Sequence, residues 1–222
     1  MTSHDTERVL SALKAWGNHA TSFQILEAGY DYWFDPLIPA PGAVIAYRQC
    51  GHYRVVAGVP IAPNDQLGEV AARFIQAGHK LGHESLFFSA DQDFIDALSA
   101  LPDAPPVDSV AIGEQPEWDP ASYTTSGAQY ASLRAQLNRA RNKGVSVRAI
   151  SDTEVNEKPG PLRAEIESVL QRWLASRRMS AMAFLVDLQP FHQASERRYY
   201  IAEHEGRAVA FLSAIPIYRR QG

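Results

Sequence analysis

Five side chains on one short stretch have the chemistry to hold a polyanion. Arg134, Asn138, Arg139, Arg141 and Lys143 fall within Tyr130–Lys143, a segment that reads as a helix stopped by Gly144. Arg134 and Asn138 are four residues apart, and Asn138 and Arg141 three, so these three share a face. Guanidinium groups grip phosphate through paired N–H donors, and an ammonium acts as a point charge. The adjacent stripe, Leu133, Leu137 and Ala140, is expected to be buried. The competing reading is a solvated basic face near a helix C-terminus, where the helix dipole favours cations. Arg197 and Arg198 precede a strand carrying Tyr199 and Tyr200; they read as an anion clamp or as a charged loop end. Arg177 and Arg178 end a predicted helix, and dipole complementarity is enough to account for them.

Other reactive residues form weaker patterns. His52 and His204 lie in or beside hairpin turns, where a histidine usually faces water. Asp91, Asp93 and Asp96 are acidic enough for a cation, but aspartate at a helix start is ordinary capping, and no metal site is expected. Cys50 has no base near it in sequence, and a single cysteine excludes both a disulfide framework and a multi-thiolate zinc site. No catalytic residue is identified by pattern alone.

The elements that must position these groups read as follows. Asp5–Trp16 has the spacing of an amphipathic helix. Strands are predicted at Phe23–Leu26, Tyr30–Phe34, Ala43–Arg48 and Tyr53–Gly58, an antiparallel meander punctuated by glycines. A helix opens at Asn64-Asp65, a strand follows at Ser85–Ser89, a helix capped by Asp91 runs to Leu98, and Val107–Ile112 is a further strand. Gln115–Gly127 reads as a linker. Beyond the basic helix come a strand at Val145–Ile150, a turn-rich stretch Ser151–Pro161, a helix Leu162–Arg178, and strands at Tyr199–His204 and Ala208–Ile217. The order implies an α+β fold with a partly parallel end.

The chain has 222 residues, 45% of them hydrophobic and 21% charged, which excludes wholesale disorder. No apolar run approaches the roughly 20 residues of a membrane helix, and the N-terminus lacks the cationic-then-apolar order of a secretory signal. A cytoplasmic protein is expected. The net charge of −4 hides an asymmetry: residues 1–117 carry 6 Lys/Arg against 15 Asp/Glu, a balance of −9, and residues 118–222 carry 15 against 10, a balance of +5. A basic half beside an acidic half suggests that one end meets a polyanion; the alternative is two solvated domains of unlike charge. Two stretches also resemble each other. Ile45–Ile61 and Ile201–Ile217 both run from Ile-Ala through a turn glycine to an apolar strand ending in Pro-Ile, at an offset of 156. If this is a duplication, the first copy continues through a helix, a strand, a helix and a strand, and the second stops six residues after Pro216.

The stretches Ala43–Pro63, Leu133–Val147 and Arg197–Tyr218 resemble the C-terminal, cytoplasmic domain of the phosphatidylglycerol lysyltransferase family and the related DUF2156 proteins. The Leu-Arg-x-x-Leu-Asn-Arg-Ala-x-x-Lys-Gly block at Leu133–Gly144 is the most specific of them. The resemblance implies tandem lobes of the N-acetyltransferase-like (GNAT) fold, each a mixed sheet flanked by helices: 1–117 as the first, and 118–222 as an incomplete second. It implies transfer of an aminoacyl group from aminoacyl-tRNA to a lipid hydroxyl such as that of phosphatidylglycerol. Aminoacyl-tRNA and an anionic phospholipid at the inner face of the plasma membrane would be the partners, with no metal or coenzyme. Arg134, Asn138, Arg139, Arg141, Lys143, Arg197 and Arg198 would then contact phosphates. The family pattern continues into an Asp-x-x-Arg motif after a strand like Ala208–Tyr218; this chain reaches Gly222 without it, so it is expected to be inactive alone. Two other classes stay open: a non-catalytic fragment that binds a polyanion, and an acyl-CoA-dependent N-acyltransferase. The second is disfavoured in the first lobe, because Gly58-Val59-Pro60-Ile61-Ala62-Pro63 stands where a pyrophosphate-cradling loop would be, and its two prolines supply no N–H.

Overall fold

The computed structural model describes residues 3–156, 160–176 and 189–220. They fold as two compact units, one formed by Met1–Ile112 with Pro216–Gly222 and the other by Gly113–Ile215. The architecture is α+β, as the element order predicts, with two sheets flanked by helices.

The first unit contains α1 (Ser3–Trp16), β1 (Asp31–Phe34), β2 (Val44–Cys50), β3 (Tyr53–Ala57), α2 (Leu67–His79), β4 (Glu84–Phe88) and α3 (Gln92–Ser99). Its sheet runs β1-β2-β3-β4; the first three strands are antiparallel, and β4 lies parallel to β3. A parallel neighbour needs a crossover, and α2 is that crossover. Val70 and Phe74 of α2 are fully buried against Ala43, Ile45 and Val56. The Phe74 ring meets Trp33, Tyr47 and Phe87 at centroid distances of 5.6, 5.4 and 6.3 Å. Arg54 lies under the same helix, 7% exposed, its guanidinium 5.0 Å from the Tyr47 ring and 5.5 Å from Phe74.

The opposite face is covered by α1 and by a 3-10 turn at Ser22–Leu26. The Tyr32 hydroxyl donates to the Ile25 carbonyl, and the Arg8 guanidinium stacks 3.7 Å from the Phe34 ring centroid. Burial, the acidic Glu27 and Asp5, and their neighbouring phenols all oppose ionisation on this face; desolvation is the largest cause, raising Tyr30 and pushing Tyr32 up to about 12. Asp35 pins the proline-bearing loop to α2. Its buried carboxylate accepts from Arg73 Nε at 2.8 Å and from the Leu37 N–H at 2.8 Å. The tail returns to this unit, where the Arg219 N–H donates to the Gly17 carbonyl at 3.1 Å.

The second unit contains α4 (Ala131–Asn142), β5 (Ser146–Ile150), a short α5 (Asp152–Asn156), α6 (Pro161–Ala175), β6 (Arg198–His204) and β7 (Arg207–Ala214). The sheet β5-β6-β7 is antiparallel throughout. Pro161 occupies the first turn of α6, where its missing N–H has no partner to lose. Ile166 of α6 is fully buried among Ile150, Val155, Tyr199 and Ile201, with Leu162, Leu170 and Phe211 at the margin. Arg163 is 8% exposed because its Nε donates to Glu167 and its guanidinium lies 3.3 Å from the Phe191 ring centroid. A bulge at Ala202/Glu203 shifts the register of β7 by one residue.

Four expectations change. Phe23–Leu26 is a buried 3-10 turn, not a strand: its N–H groups bond locally, Gln24 to Thr21 and Glu27 to Gln24, both at 3.0 Å. Val107–Ile112 is irregular and open to water, with Val110 at 84% and Ile112 at 64% exposure, and among the described residues no strand pairs with it to complete a ladder. Ser151–Pro161 is not all turn. Ser151 and Glu154 form a capping box that starts α5, with Glu154 N–H to Ser151 Oγ at 3.2 Å and Ser151 N–H to Glu154 Oε2 at 2.8 Å. The hairpin turns Gly51-His52 and Glu205-Gly206 lie two residues out of step with the 156-residue offset, so the two hairpins do not superpose residue for residue in that frame.

Gly58 follows β3 at φ +75, and a Cβ there would collide with Thr21 Oγ1, which is itself held by His19 Nδ1 at 2.7 Å. Gly51 also has positive φ, +61, but open space around it. Gly58→Ala should therefore destabilise the protein by about 3 kcal/mol and Gly51→Ala by about 1 kcal/mol, read from urea denaturation. Equal losses would contradict the collision. Asp35→Ala, which removes the buried acceptor of the Leu37 N–H and of Arg73 Nε and leaves Arg73 its 3.6 Å contact with Glu69, should cost about 2 kcal/mol in the same experiment.

Candidate polyanion-binding surface

The basic helix forms where the sequence places it and ends for a clear local reason. Gly144 has φ +79. Its N–H donates to Arg141 O at 2.9 Å, and the Val145 N–H to Ala140 O at 3.0 Å, the paired bonds of a Schellman stop. Arg139 and Arg141 thus stand in the last turn, beside carbonyls that favour positive charge.

The cations of α4 divide into two kinds. Arg134 Nη1 donates to the carbonyls of Thr125 and Gly127, at 2.5 and 2.6 Å, and straps the incoming loop to the helix. Its role is structural, and sequence spacing had no means of showing it. Asn138, Arg139, Arg141 and Lys143 are exposed, and the three cations have no ion-pair partner among the described residues. The leucine stripe differs from expectation: Leu133 and Ala140 are half-buried, Leu137 is 48% exposed, and α4 has no buried residue. Among the described residues nothing packs on that stripe tightly enough to bury Leu137.

Arg197 and Arg198 separate as well. Arg197 Nε donates to the His192 carbonyl at 2.8 Å, and Nη1 reaches Ser213 Oγ at 3.3 Å, so it joins the Gln189–Gln193 turn to β7. Arg198 opens β6 and is exposed. Arg177 and Arg178 lie outside the described residues. His52 is exposed with its ring 4.1 Å from that of Tyr53, and His204 is half-buried at the end of β6. Asp91 caps α3 by accepting from the Phe94 N–H at 2.9 Å, and no group of three or more potential metal ligands occurs among the described residues. Cys50 is exposed. In the loop after β3, the Gly58 N–H bonds to Phe88 O at 2.8 Å and the Ile61 N–H to Val44 O at 3.0 Å. With two prolines beside them, these N–H groups are turned into the fold rather than toward a phosphate.

One titratable group has no sequence signal at all. His192 is half-buried, with Nδ1 fully enclosed and lacking a hydrogen-bond partner. Desolvation, and then the charge of Arg197, hold its pKa below the ordinary histidine value. A depressed pKa means the native state excludes a proton that the unfolded state accepts below about pH 6.5. The stabilisation is therefore present above that pH and is lost as pH falls. His192→Gln should flatten the decline in stability between about pH 7 and pH 5; a wild-type profile equally steep in the variant would contradict this.

Comparison with known proteins agrees with this architecture. A family model described as phosphatidylglycerol lysyltransferase, C-terminal, matches residues 10–222. A phosphatidylglycerol lysyltransferase of Staphylococcus haemolyticus is 24% identical over 217 residues, covering 96% of this chain and 24% of the relative. One of Staphylococcus xylosus is 23% identical, covering 79% of this chain and 20% of the relative. Among solved structures, L-PGS from Bacillus licheniformis aligns with a TM-score of 0.74 at 21% identity, over 96% of this chain and 62% of that one. The C-terminal DUF2156 domain of a putative lysylphosphatidylglycerol synthetase from Agrobacterium fabrum aligns with a TM-score of 0.77 at 17% identity, over 99% and 66%. The chain therefore spans about a quarter of the length of these curated relatives. On a match that takes in nearly its whole length, it belongs to the phosphatidylglycerol lysyltransferase C-terminal family.

Proposed function

We propose that this chain serves the transfer of an aminoacyl group, lysyl being the first candidate, from aminoacyl-tRNA to the hydroxyl of phosphatidylglycerol at the inner face of a membrane. The family match over residues 10–222 carries this reading. In it, residues 1–117 and 118–222 are two GNAT-like lobes. The reaction needs little apparatus. The ester to tRNA is already activated, so the protein must align the lipid hydroxyl with the carbonyl carbon, accept its proton and stabilise the tetrahedral oxyanion. The lipid oxygen forms the new ester bond, and the tRNA ribose oxygen leaves and takes up a proton. Both substrates carry phosphates, and the free cations of α4 are suited to hold one of them.

No helix among the described residues is long and apolar enough to cross a membrane. In this reading the contact with lipid is therefore made at the surface by charge. A non-catalytic polyanion-binding role has one observation in its favour: the exposed side chains around Arg139 and Arg141 on α4 include no carboxylate or histidine to act as a base.

The test is binding and turnover with labelled lysyl-tRNA and phosphatidylglycerol vesicles. Replacing Arg139, Arg141 and Lys143 together by alanine should weaken binding about tenfold or more in low salt and reduce the salt slope by up to about three. Arg134→Ala should instead lower thermal stability. Absence of both lysyl-lipid and lysyl-tRNA binding in the wild type would overturn the proposal, as would binding unchanged by the triple substitution. Binding without lipid product would favour the non-catalytic role. Thermal stabilisation by acetyl-CoA would favour an acyl-CoA enzyme.

A further inference from the structure

Arg54 is a charge inside the first unit that the described residues do not answer. It is 7% exposed, and among those residues it has neither an ion pair nor a hydrogen bond. Its Nε is enclosed without a partner, and so is the hydroxyl of Ser85. The two stand side by side: Arg54 pairs with Gln49 of β2 on one side and with Ser85 of β4 on the other. Residues directly opposite one another share a face, so Gln49, Arg54 and Ser85 form a polar row on the α2 side of the sheet. Burying an ion is costly unless it is both paired and hydrogen-bonded. The Tyr47 and Phe74 rings and the negative end of the α2 dipole offset part of that cost, but the rings use none of the guanidinium's five N–H donors. The carbonyls that end α2 are engaged by the turn itself: Gln76 by the Lys80 N–H at 3.1 Å, Gly78 by Leu81 and His83 at 2.9 and 3.0 Å, and His79 by Gly82 at 3.0 Å.

We propose that this end of the first unit binds a phosphate group, gripped at the Nη edge of Arg54 beneath the last turn of α2. A phosphate matches the paired N–H donors of a guanidinium and brings the negative charge that the buried cation lacks. Gly78 keeps that edge clear of a side chain, since a Cβ there would lie 3.3 Å from Nη1. Gln49 is exposed, with its Nε2 3.1 Å from His83 Nδ1, and these two polar side chains form the rim. The Ser85 hydroxyl is the next donor in the row. Free phosphate and a phosphate monoester share this chemistry. The site belongs to the first unit and the exposed cations of α4 to the second, so the proposal does not depend on the transfer reading.

Two charge-assisted bonds correspond to about millimolar affinity for inorganic phosphate. In the whole chain, the Arg54 Nε–H resonance, assigned by its loss in Arg54→Met, should move saturably as phosphate replaces chloride at constant ionic strength. About 10 mM phosphate should also raise Tm by about 3 °C. Arg54→Met should abolish the rise in Tm, and the Arg139, Arg141 and Lys143 triple alanine variant should keep it. Gly78→Ala retains the charge and crowds Nη1, so it should weaken phosphate binding about threefold or more; it remains informative if Arg54→Met does not fold. Titration with glycerol 3-phosphate separates the two sources: binding as tight as or tighter than inorganic phosphate assigns the site to a carried phosphate group, and weaker binding to the free ion. An Arg54 resonance unmoved by either phosphate overturns the proposal. So does a rise in Tm that survives in Arg54→Met or vanishes in the triple variant, and so does undiminished binding by Gly78→Ala.

Discussion

Each sheet in this protein has two faces to shelter, and most of the fold follows from how that is done. Burial of apolar surface contributes roughly 25 cal/mol per Å², so a face left wet forfeits several kcal/mol that a helix would supply. In the first unit α2 takes one face through Phe74, and α1 with the Ser22–Leu26 turn takes the other. The details that look idiosyncratic serve that closure. Asp35 ties the proline loop to α2, Gly58 lets Thr21 and His19 approach the end of β3, and Arg54 lies flat under aromatic rings rather than reaching for water. In the second unit α6 closes one face, and the described residues leave the other uncovered.

The basic character of the second half resolves into distinct tasks once contacts are known. Arg134, Arg163 and Arg197 hold carbonyls and turns in place. Arg148 bridges Glu154 and Glu203, which favour its charged form, while the Ser151 N–H and Arg148 together hold Glu154 below the usual carboxylate value. Among the described residues, Arg139, Arg141 and Lys143 form one exposed group at the end of α4, where the backbone dipole already prefers positive charge.

Much of this was legible in the chain itself. The Leu133–Gly144 block marked the helix, its stop and its family; Asp91 read as a cap and is one; the meander and the parallel return of β4 followed from turn glycines and helix spacing. What was hidden depended on neighbours. Phe23–Leu26 and Val107–Ile112 both look like strands, but a strand needs a partner, and pairing is not written in a segment's own composition. Leu137 has the spacing of a buried residue, yet the described residues leave it 48% exposed. His192 has no motif, because its perturbation arises from Arg197 and from enclosure by the surrounding fold.

The bulge at Ala202/Glu203 sets which side of β7 is dry. Beyond it Phe211 pairs with Ile201 and Leu212 with Tyr200, so the phenylalanine enters the core. In a ladder without the extra residue, Leu212 would stand opposite Tyr199 and Phe211 would face out. The strand therefore has a reading frame. Gain or loss of one residue between the hairpin tip and Phe211 would exchange its inner and outer sides along the rest of its length, while substitutions that keep the count leave that phase intact.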